Sequence, residues 1–310
     1  MLAAARYAPR VAGTLHVIGS LMVDRVMRVG ALPRPGETVT ARGAQVLPGG
    51  KGANQAAAAA LAGARVRMCG RTGAEGRFIV DALAARGVDV TAIRTDDPVA
   101  GSAAVTVAEG GQNAIVIAPE SNARLALEDV ERFLAAARPG ELLLLQNECA
   151  HLEACVELAA RAGLRTWLNA APANDALAGL SLETLAGLVV NETEAEALSG
   201  HAEPGRALGE LAPLLPRGTV VVTLGPGGAI AWERGHLLEF RGHRVNAVDT
   251  VGCGDAFVGA MLATLASGGP LDRAIMRGNA AGAIAATREG AMPSLPSASE
   301  IDALVATLGA

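Results

Sequence analysis

The string DTVGCGDAF, residues 249–257, holds the residues whose types and spacing best suit chemistry. Gly252 and Gly254 allow the backbone to turn tightly and to approach a ligand closely. A strand-like run, residues 243–248, precedes the string, and an apolar helix-like run, residues 258–266, follows it. The N-terminus of that helix would offer unpaired N–H groups and the positive end of a dipole, which together suit an anion.

Asp255 places a carboxylate beside this predicted anion site, which is electrostatically unfavourable unless the carboxylate has a chemical role. Removal of a proton from a hydroxyl group, while backbone amides hold a transferring phosphoryl group, is such a role. The N–H groups of Gly252, Cys253 and Gly254 are the predicted anion hole. An ordinary N-cap on a glycine-rich turn is the alternative interpretation of Asp255.

A second glycine-rich turn, GGKGANQ at residues 49–55, opens a strongly helical stretch. Lys51 is the only lysine in a chain of 26 basic residues, so the other 25 (26 − 1) are arginines. An ammonium is a compact, flexible point charge, whereas the guanidinium of arginine is a bulkier planar fork. The position of this single lysine therefore indicates a function, although chance remains the alternative.

Composition and charge exclude several classes of protein. The chain has 310 residues, of which 51% are hydrophobic and 18% charged, so a sizeable core is easily built. Its net charge is −5 and no basic patch stands out, which argues against nucleic acid as a partner. No apolar run reaches the length of a membrane span, so we expect no membrane partner.

The cysteines and the N-terminus indicate a reduced, cytoplasmic protein. The four cysteines show no spacing typical of a metal site or a disulfide framework. The first 15 residues lack the continuous apolar stretch of a signal peptide. Cys253 lies inside the predicted anion turn, where we interpret it as a small filler and not as a nucleophile.

Hydrophobic patterning predicts an α/β fold with a mostly parallel sheet covered by helices on both faces. Apolar strand-like runs alternate with alanine-rich helix-like runs. The strand-like runs are residues 15–19, 65–69, 142–146, 165–169, 187–191 and 219–223, and the helix-like runs are residues 53–62, 77–86 and 151–162. After residue 248 the pattern becomes mostly helical.

Two segments, residues 22–47 and 100–118, break this rhythm by alternating apolar and polar positions. A turn at residues 109–111 divides the second segment. We predict that the two segments are insertions that form one small antiparallel sheet within a single domain of residues 1–310. Two ordinary edge hairpins are the alternative.

Taken together, the two glycine motifs resemble the signatures of the ribokinase family, the PfkB group of carbohydrate and nucleoside kinases. GGKGANQ is similar to the N-terminal signature of the family, and DTVGCGDAF to its C-terminal signature, DTxGAGD. Weaker matches follow in family order. They are PGETV at 35–39, NAAPA at 169–173, NETEAE at 191–196, TLGPGG at 223–228 and TREGAMPSLP at 287–296. The resemblance implies a three-layer ribokinase-like sandwich whose small sheet is a lid over the sugar and the contact surface of a homodimer.

For the sugar, the resemblance implies that Asp255 is the general base and that carboxylates and a glycine cradle bind hydroxyls. The sugar-binding positions it implies are Met22, Asp24, Gly50, Lys51, Asn54, Glu148 and Asp255. Asp24 as a solvated loop residue is the alternative. Carboxylates at the carboxyl ends of strands lie where open α/β sheets bind their ligands.

For ATP, the resemblance implies binding by Asn191, Thr223, Gly225, Gly228, Gly254 and Asn279. Glu194 would hold Mg²⁺ through water, since hard oxygen ligands suit that ion. Asn191 and Glu194 also have the spacing of a capped helix N-terminus, and both interpretations can hold. A K⁺ site is implied at Asp249, Val251, Ala285, Arg288, Gly290 and Ser294, with backbone carbonyls supplying several of the ligands.

Two positions depart from the family pattern. Met22 stands in GSLMVD where the family has an asparagine that contacts a sugar hydroxyl, and a thioether accepts hydrogen bonds only weakly. This change favours a sugar that lacks the hydroxyl, such as 2-deoxyribose, unless Met22 lies aside or water substitutes. Phe78 stands near a position where the family often has glycine, and we assign it no function.

The sequence thus predicts an ATP-dependent sugar kinase that phosphorylates the terminal C5 hydroxyl of a pentose, with ribose as the first candidate. A 2-deoxyribose kinase and a nucleoside kinase are alternatives on the same fold. A non-catalytic sugar-binding regulator is the alternative from a different class, although a protein that only binds needs no base at Asp255.

Overall fold

The computed structural model describes residues 13–109, 112–174, 177 and 179–307 of the chain. Its strands are β1 (Thr14–Ile18), β2 (Met22–Val29), β3 (Gly43–Gly49), β4 (Arg65–Gly73), β5 (Asp89–Asp97), β6 (Ser102–Ala108), β7 (Asn113–Ala118), β8 (Leu142–Gln146), β9 (Arg165–Asn169), β10 (Gly187–Asn191), β11 (Thr219–Thr223), β12 (Gly228–Glu233) and β13 (His236–Arg241). Its helices are α1 (Lys51–Leu61), α2 (Arg77–Ala84), α3 (Leu127–Ala135), α4 (Leu152–Arg161), α5 (Glu192–Ser199), α6 (Pro204–Leu211), α7 (Cys253–Ala266), α8 (Leu271–Ala286) and α9 (Ala298–Ala306).

The large sheet has the order β13-β12-β11-β10-β9-β8-β1-β4-β5. The strands from β11 to β5 are parallel to their neighbours, and β12 and β13 add an antiparallel hairpin at one edge. Parallel strands need crossover connections, which the helices provide. The predicted α/β fold with a mostly parallel sheet is confirmed.

Both faces of the large sheet are covered, as the run of apolar residues in β8 requires. Leu142 and Leu144 belong to one buried cluster together with apolar residues of α1, α2, α7 and α8. Leu143 and Leu145 belong to a second buried cluster with residues of α3, α4, α5 and α6. Successive side chains of a strand point to opposite faces, so four consecutive leucines join two helical layers to one sheet.

A small sheet with the order β3-β2-β6-β7 forms from the two predicted segments. Its outer pairs are antiparallel, but β2 and β6 are parallel, so the prediction of an all-antiparallel sheet was wrong. The reason is topological. β1 and β5 point in the same direction in the large sheet, so the chain leaves the sheet at its carboxyl end after each of them. β2 follows β1 and β6 follows β5, and the two strands therefore start in the same direction. Of the predicted turn at 109–111, residues 110 and 111 lie outside the described residues.

The predicted strand at residues 243–248 was also wrong. The last strand of the large sheet ends at Arg241, and residues 242–249 have no regular structure. The N–H groups of Val248 and Asp249 donate to Ala286 O at the end of α8, at 2.7 and 3.2 Å. This segment therefore bonds to a helix terminus and not to a neighbouring strand, despite its apolar alternation.

None of the helices in the described parts of the chain is both long and apolar enough to cross a lipid bilayer.

Candidate active site

A cavity of about 810 Å³ lies between the small sheet, the N-terminus of α1 and the N-terminus of α7. Its walls include all the predicted sugar-binding positions, namely Met22, Asp24, Gly50, Lys51, Asn54, Glu148 and Asp255. The face of the small sheet supplies an apolar wall that includes Val105, Ile115 and Ile117. The cavity therefore offers charged acceptors on one side and apolar surface on the other, which suits a small polyol with an exposed C–H face.

Asp255 lies in the first turn of α7, and two amides of α1 hold its carboxylate. Asn54 Nδ2 donates to Asp255 Oδ2 at 3.0 Å, and Gln55 Nε2 donates to Oδ1 at 2.9 Å. Burial raises the pKa of Asp255 to about 6, against the opposing effects of Lys51 and the two amides. A base with a pKa close to neutrality is ionised at physiological pH and still accepts a proton readily.

The turn before Asp255 has the backbone shape that the anion-hole prediction requires. Gly252 has φ 81°, and a Cβ at this position would lie 2.7 Å from Ala291 Cα. Both the conformation and the close approach therefore require glycine. The Cys253 N–H donates to Thr250 O at 3.3 Å within the turn, so a bound phosphoryl group would compete for it. Burial raises the pKa of the Cys253 thiol to about 11, which agrees with a small filler and not with a nucleophile.

Lys51 stands at the start of α1 and faces a carboxylate that follows β8. Its Nζ lies 3.1 Å from Glu148 Oε1, and the Ser20 hydroxyl donates to Glu148 Oε2 at 2.6 Å. Although burial opposes the charge, Glu148 and Asp255 raise the pKa of Lys51. The ammonium therefore stays charged between two carboxylates, where it can also meet the oxygens of a transferring group.

Asp24 lies on β2 and also lines the cavity. Burial, followed by the charges of Asp255 and Glu148, raises the pKa of Asp24 to about 7. Gly49 packs so closely on this carboxylate that a Cβ would overlap it. Asp24 is therefore confined at a position where hydroxyl donors from a ligand would stabilise its charged form.

Met22 is 3% exposed, and it lines the cavity at the start of β2. Its Sδ lies 3.4 Å from Asn122 Nδ2. The same Asn122 side chain donates to Leu21 O and accepts from Leu21 N, both at 2.9 Å. Met22 therefore lines the same cavity as the other predicted sugar-binding positions.

Most of the predicted ATP-binding positions lie along neighbouring strand ends, outside the walls of this cavity, whereas Gly254 lies in α7 next to Asp255. Asn191 and Thr223 are register partners in β10 and β11, and Gly228 is paired with Arg241. Asn279 Nδ2 donates to Arg241 O at 3.3 Å, which brings α8 to the same edge. Gly225 and Gly228 have φ 51° and 103°, so the loop between β11 and β12 has a backbone that favours glycine.

Asn191 and Glu194 form a complete capping box at the start of α5. Asn191 Oδ1 accepts from Glu194 N at 2.8 Å, and Glu194 Oε2 accepts from Asn191 N at 2.9 Å. Burial raises the pKa of Glu194, and the charges of Lys51 and Asp255 both act on it. The capping interpretation is thus observed, and the carboxylate also lies close enough to the sugar site to sense its charges.

The residues of the predicted K⁺ site lie on the turn before α7 and on the end of α8 with the turns that follow it. Asp249 Oδ1 accepts from Val251 N at 3.0 Å, and Oδ2 accepts from Gly290 N at 2.9 Å. The guanidinium of Arg288 approaches Ser294 O at 3.5 Å, while Ala285 O accepts from Arg288 N. One carboxylate therefore joins the turn before α7 to the turn after α8.

Sequence reasoning missed several buried polar residues of the site, namely Ser20, Gln55, Asn122, Gln146 and Asn169. Gln146 carried a readable signal, because a glutamine that ends the run LLLLQ must find a partner when buried. Gln55 ends the motif GGKGANQ, which gives no sign of its partners. Phe78, by contrast, packs against the main core cluster, which gives it a structural role.

Comparison with known proteins agrees with this geometry. The model of the pfkB family of carbohydrate kinases matches residues 13–298. The ribokinase of Haemophilus influenzae is 36% identical over 93% of this chain and 96% of its own, and the deoxyribokinase of Salmonella typhi is 32% identical over 91% and 95%. The solved structure of Arabidopsis thaliana ribokinase complexed with ribose and ATP superposes with a TM-score of 0.80 at 27% identity, covering 95% of this chain and 99% of that one. The chain belongs to the pfkB family of carbohydrate kinases.

Proposed function

We propose that this protein is an ATP-dependent pentose kinase that phosphorylates the terminal C5 hydroxyl of ribose. The observation that carries the proposal is the Asp255 carboxylate, which two amides hold at the N-terminus of a helix and in the wall of a cavity that also contains Lys51. A base, an anion-binding helix end and a single ammonium are the parts that phosphoryl transfer to an alcohol needs.

The sugar is held mainly through hydrogen bonds that its hydroxyls donate to carboxylates. Asp24, Glu148 and Asp255 are three carboxylates around one lysine, and ionised carboxylates can only accept hydrogen bonds. The several hydroxyls of a pentose supply the donors. The apolar wall of the small sheet, including Ile115 and Ile117, packs on its C–H face.

In the transfer step Asp255 accepts the proton of the C5 hydroxyl. The hydroxyl oxygen forms a bond to the γ-phosphorus of ATP, and the bond from that phosphorus to the bridging oxygen breaks, so ADP leaves with the electron pair. The N–H groups of Gly252, Cys253 and Gly254 stabilise the charge on the γ-phosphoryl oxygens, as donors placed in advance do.

The nucleotide lies along the carboxyl ends of β10 and β11, against Asn191, Thr223, Gly225 and Gly228, with Gly254 at its phosphates and Asn279 near the base. This assignment is supported by the register and hydrogen bonds that bring these positions to one edge. A nucleotide at this position leaves the cavity free for the sugar that receives the phosphoryl group.

Two metal ions fit residues of this chain. No cluster of three or more acidic, histidine or cysteine side chains suited to a metal occurs in the described residues, but Mg²⁺ keeps water and phosphate ligands and needs only one or two carboxylates. Glu194 would hold it and is half-buried at the start of α5. Asp249 and Ser294, with carbonyls of Val251, Ala285, Arg288 and Gly290, would hold K⁺. These ions would neutralise phosphate charge and stiffen the turn before Asp255.

Met22 supports 2-deoxyribose as a second candidate substrate. The thioether is fixed in the cavity wall by Asn122 and offers no strong partner to a sugar hydroxyl. A buried hydroxyl without a partner costs about 1–3 kcal/mol, which a sugar lacking that hydroxyl avoids.

We also propose that the small sheet is a lid and the contact surface of a homodimer, and that the enzyme works in the cytoplasm. Val46 and Val116 are exposed on the small sheet, and β3 and β7 are its free edges. The four cysteines, all among the described residues, are unpaired, as a reducing compartment requires.

One screen tests the proposed function. ATP turnover is measured by ADP release with ribose, 2-deoxyribose, fructose or adenosine as acceptor. We expect turnover with ribose or 2-deoxyribose to exceed that with the other two. Preferential turnover of adenosine would instead make the protein a nucleoside kinase, and binding of a sugar without turnover would make it a regulator.

A further inference from the structure

A chain of three amides crosses the contact between α1 and the large sheet and ends at Asp255. Gln146 Nε2 at the end of β8 donates to Gln55 Oε1 at 2.9 Å. Gln55 Nε2 then donates to Asp255 Oδ1 at 2.9 Å and to Asn169 Oδ1 at 2.8 Å. Both glutamine side chains are 0% exposed, so these bonds are made away from solvent.

The bonds allow only one orientation of the Gln55 amide. Asn169 Nδ2 donates to Val189 O at 3.1 Å, so Asn169 must turn its oxygen towards Gln55. Gln55 accepts from Gln146 at its own oxygen, so its nitrogen must face Asp255. An amide nitrogen has two hydrogens, and here both are used. If the amide were reversed, Gln55 Oε1 would face Asp255 Oδ1 and Asn169 Oδ1, and no hydrogen would lie between these oxygens.

The network is also anchored in the sheet. Gln146 and Asn169 are register partners at the ends of β8 and β9, and Val189 lies on β10. Three parallel strands therefore set the position of one glutamine on α1. That glutamine in turn contacts the residue at the start of α7 that we assign as the base.

We propose that Gln55 is a positioning residue for phosphoryl transfer, which holds Oδ1 of Asp255 with a donor of fixed orientation and aims the remaining lone pairs of the carboxylate at the substrate hydroxyl. This inference rests on the proposed function. Asn54 is a sugar-cavity residue and holds Oδ2, so the two amides divide the task. Small displacements of a reacting group cost rate steeply.

Several charged or titratable groups surround Asp255 besides these amides. They are Lys51 on α1, Asp24 on β2, Glu148 after β8, Glu194 on α5 and Cys253 on α7. Gln55 carries no charge, so its removal leaves their Coulomb interactions with Asp255 in place. Substitution of Gln55 does remove one hydrogen-bond donor to the ionised carboxylate, and this loss raises the pKa of Asp255.

The test compares Gln55→Met with Gln146→Met, a matched control that removes an equally buried amide of the same network without touching Asp255. We expect Gln55→Met to lower kcat about 10- to 100-fold, with KM for the sugar nearly unchanged. The acid limb of its kcat/KM profile should move to higher pH. Gln146→Met should lower kcat less, while both variants lose similar thermal stability.

Two results would overturn the inference. One is a kcat for Gln55→Met within about 3-fold of the wild type, which is too small for a lost positioning contact. The other is an equal loss of kcat in Gln146→Met with no change in either pH profile, which would show general damage to the fold.

A readout without turnover separates this inference from the proposed function. Carboxyl carbons of ¹³C-labelled aspartate are titrated by NMR, and the Asp255 signal is assigned by its loss in Asp255→Asn. An upward shift of its pKa in Gln55→Met supports the contact even if no sugar is phosphorylated. An unshifted pKa contradicts it even if the enzyme proves to be a kinase.

Discussion

Lys51 and Glu148 form an ion pair across the floor of the cavity, with 3.1 Å between Nζ and Oε1. The pair joins the start of α1 to the segment after β8. It neutralises one carboxylate, while Asp24 and Asp255 keep pKa values raised to about 7 and about 6. A ligand rich in hydroxyl groups would donate hydrogen bonds to these two remaining carboxylates.

We predict that Asp255→Asn abolishes phosphorylation while sugar and ATP binding largely persist. Loss of a general base lowers the chemical step, typically by about 10²- to 10⁴-fold, and the amide cradle of the turn remains. Single-turnover assays measure the chemical step, and calorimetry measures binding of each substrate. Turnover close to that of the wild type would remove Asp255 from its assigned role.

We predict that Asp24→Asn makes the protein more heat-stable at pH 8 but not at pH 4. The pKa of Asp24 is raised from 3.8 to about 7, so the folded state binds the proton more tightly than the unfolded state. The resulting stability is fully present below pH 3.8 and is lost as the pH rises through about 7. Thermal unfolding of both proteins across this range checks the sign. A difference in Tm that does not vary with pH would contradict it.

The central strands were predictable because they are buried on both faces. Residues 142–146 and 165–169 read as short apolar runs and are strands with those bounds. Residues 243–248 also read as strand-like, but Val248 bonds to the end of α8, and no local pattern reveals whether a neighbouring strand is available. The direction of β6 relative to β2 depended in the same way on where the chain leaves the large sheet.

The charged site residues were predictable because motifs carry them. Asp24, Lys51, Glu148 and Asp255 indeed line one cavity, although their roles stay predictions. The amides that hold them were not found from sequence. A buried glutamine such as Gln55 looks like any helix residue until its partners from β8, β9 and α7 are known.

We predict that K⁺ activates the enzyme more than Na⁺ at saturating Mg²⁺ and ATP. The Asp249 carboxylate ties the turn of Val251 to that of Gly290, and a cation held there would stiffen the anion hole. Initial rates in K⁺, Na⁺ and tetramethylammonium at equal ionic strength test this expectation. Equal rates in all three salts would exclude a functional cation site.

We predict a homodimer joined through the small sheet. Val116 is 71% exposed on the edge strand β7, and a small sheet with a free edge and exposed apolar residues needs a cover. Light scattering at micromolar concentration should give twice the monomer mass, and Val116→Glu should reduce it to the monomer. Leu237→Glu is the matched control, since Leu237 is 49% exposed on β13 of the large sheet.

The outcome that contradicts this prediction is a wild-type monomer at the same concentration. A dimer that Leu237→Glu dissociates and Val116→Glu does not would place the interface on the large sheet instead.

We predict that Met22→Asn raises kcat/KM for ribose relative to 2-deoxyribose. An amide supplies the partner that only the hydroxylated sugar can use. One hydrogen bond in a dry pocket corresponds to about 1–3 kcal/mol, or roughly 5- to 150-fold in the ratio. Both constants are measured for both sugars in each protein.

Met27→Asn on the same strand is the control, because Met27 is 36% exposed and the substitution is chemically identical. An unchanged ratio in Met22→Asn would mean that residue 22 does not face the discriminating hydroxyl, and the case for 2-deoxyribose would lose its support.

The parallel pairing of β2 with β6 has a consequence for how the molecule folds. The two strands belong to segments separated by α1, β4, α2 and β5, so their ladder closes only after that intervening unit has brought its ends together. Contacts between residues far apart in sequence form late, because the entropy of loop closure must be met first. The small sheet should therefore assemble after the core around β1 and β4. Until then the local pairs β2–β3 and β6–β7 leave the facing edges of β2 and β6 without a partner, and a nascent chain at this stage is exposed to aggregation.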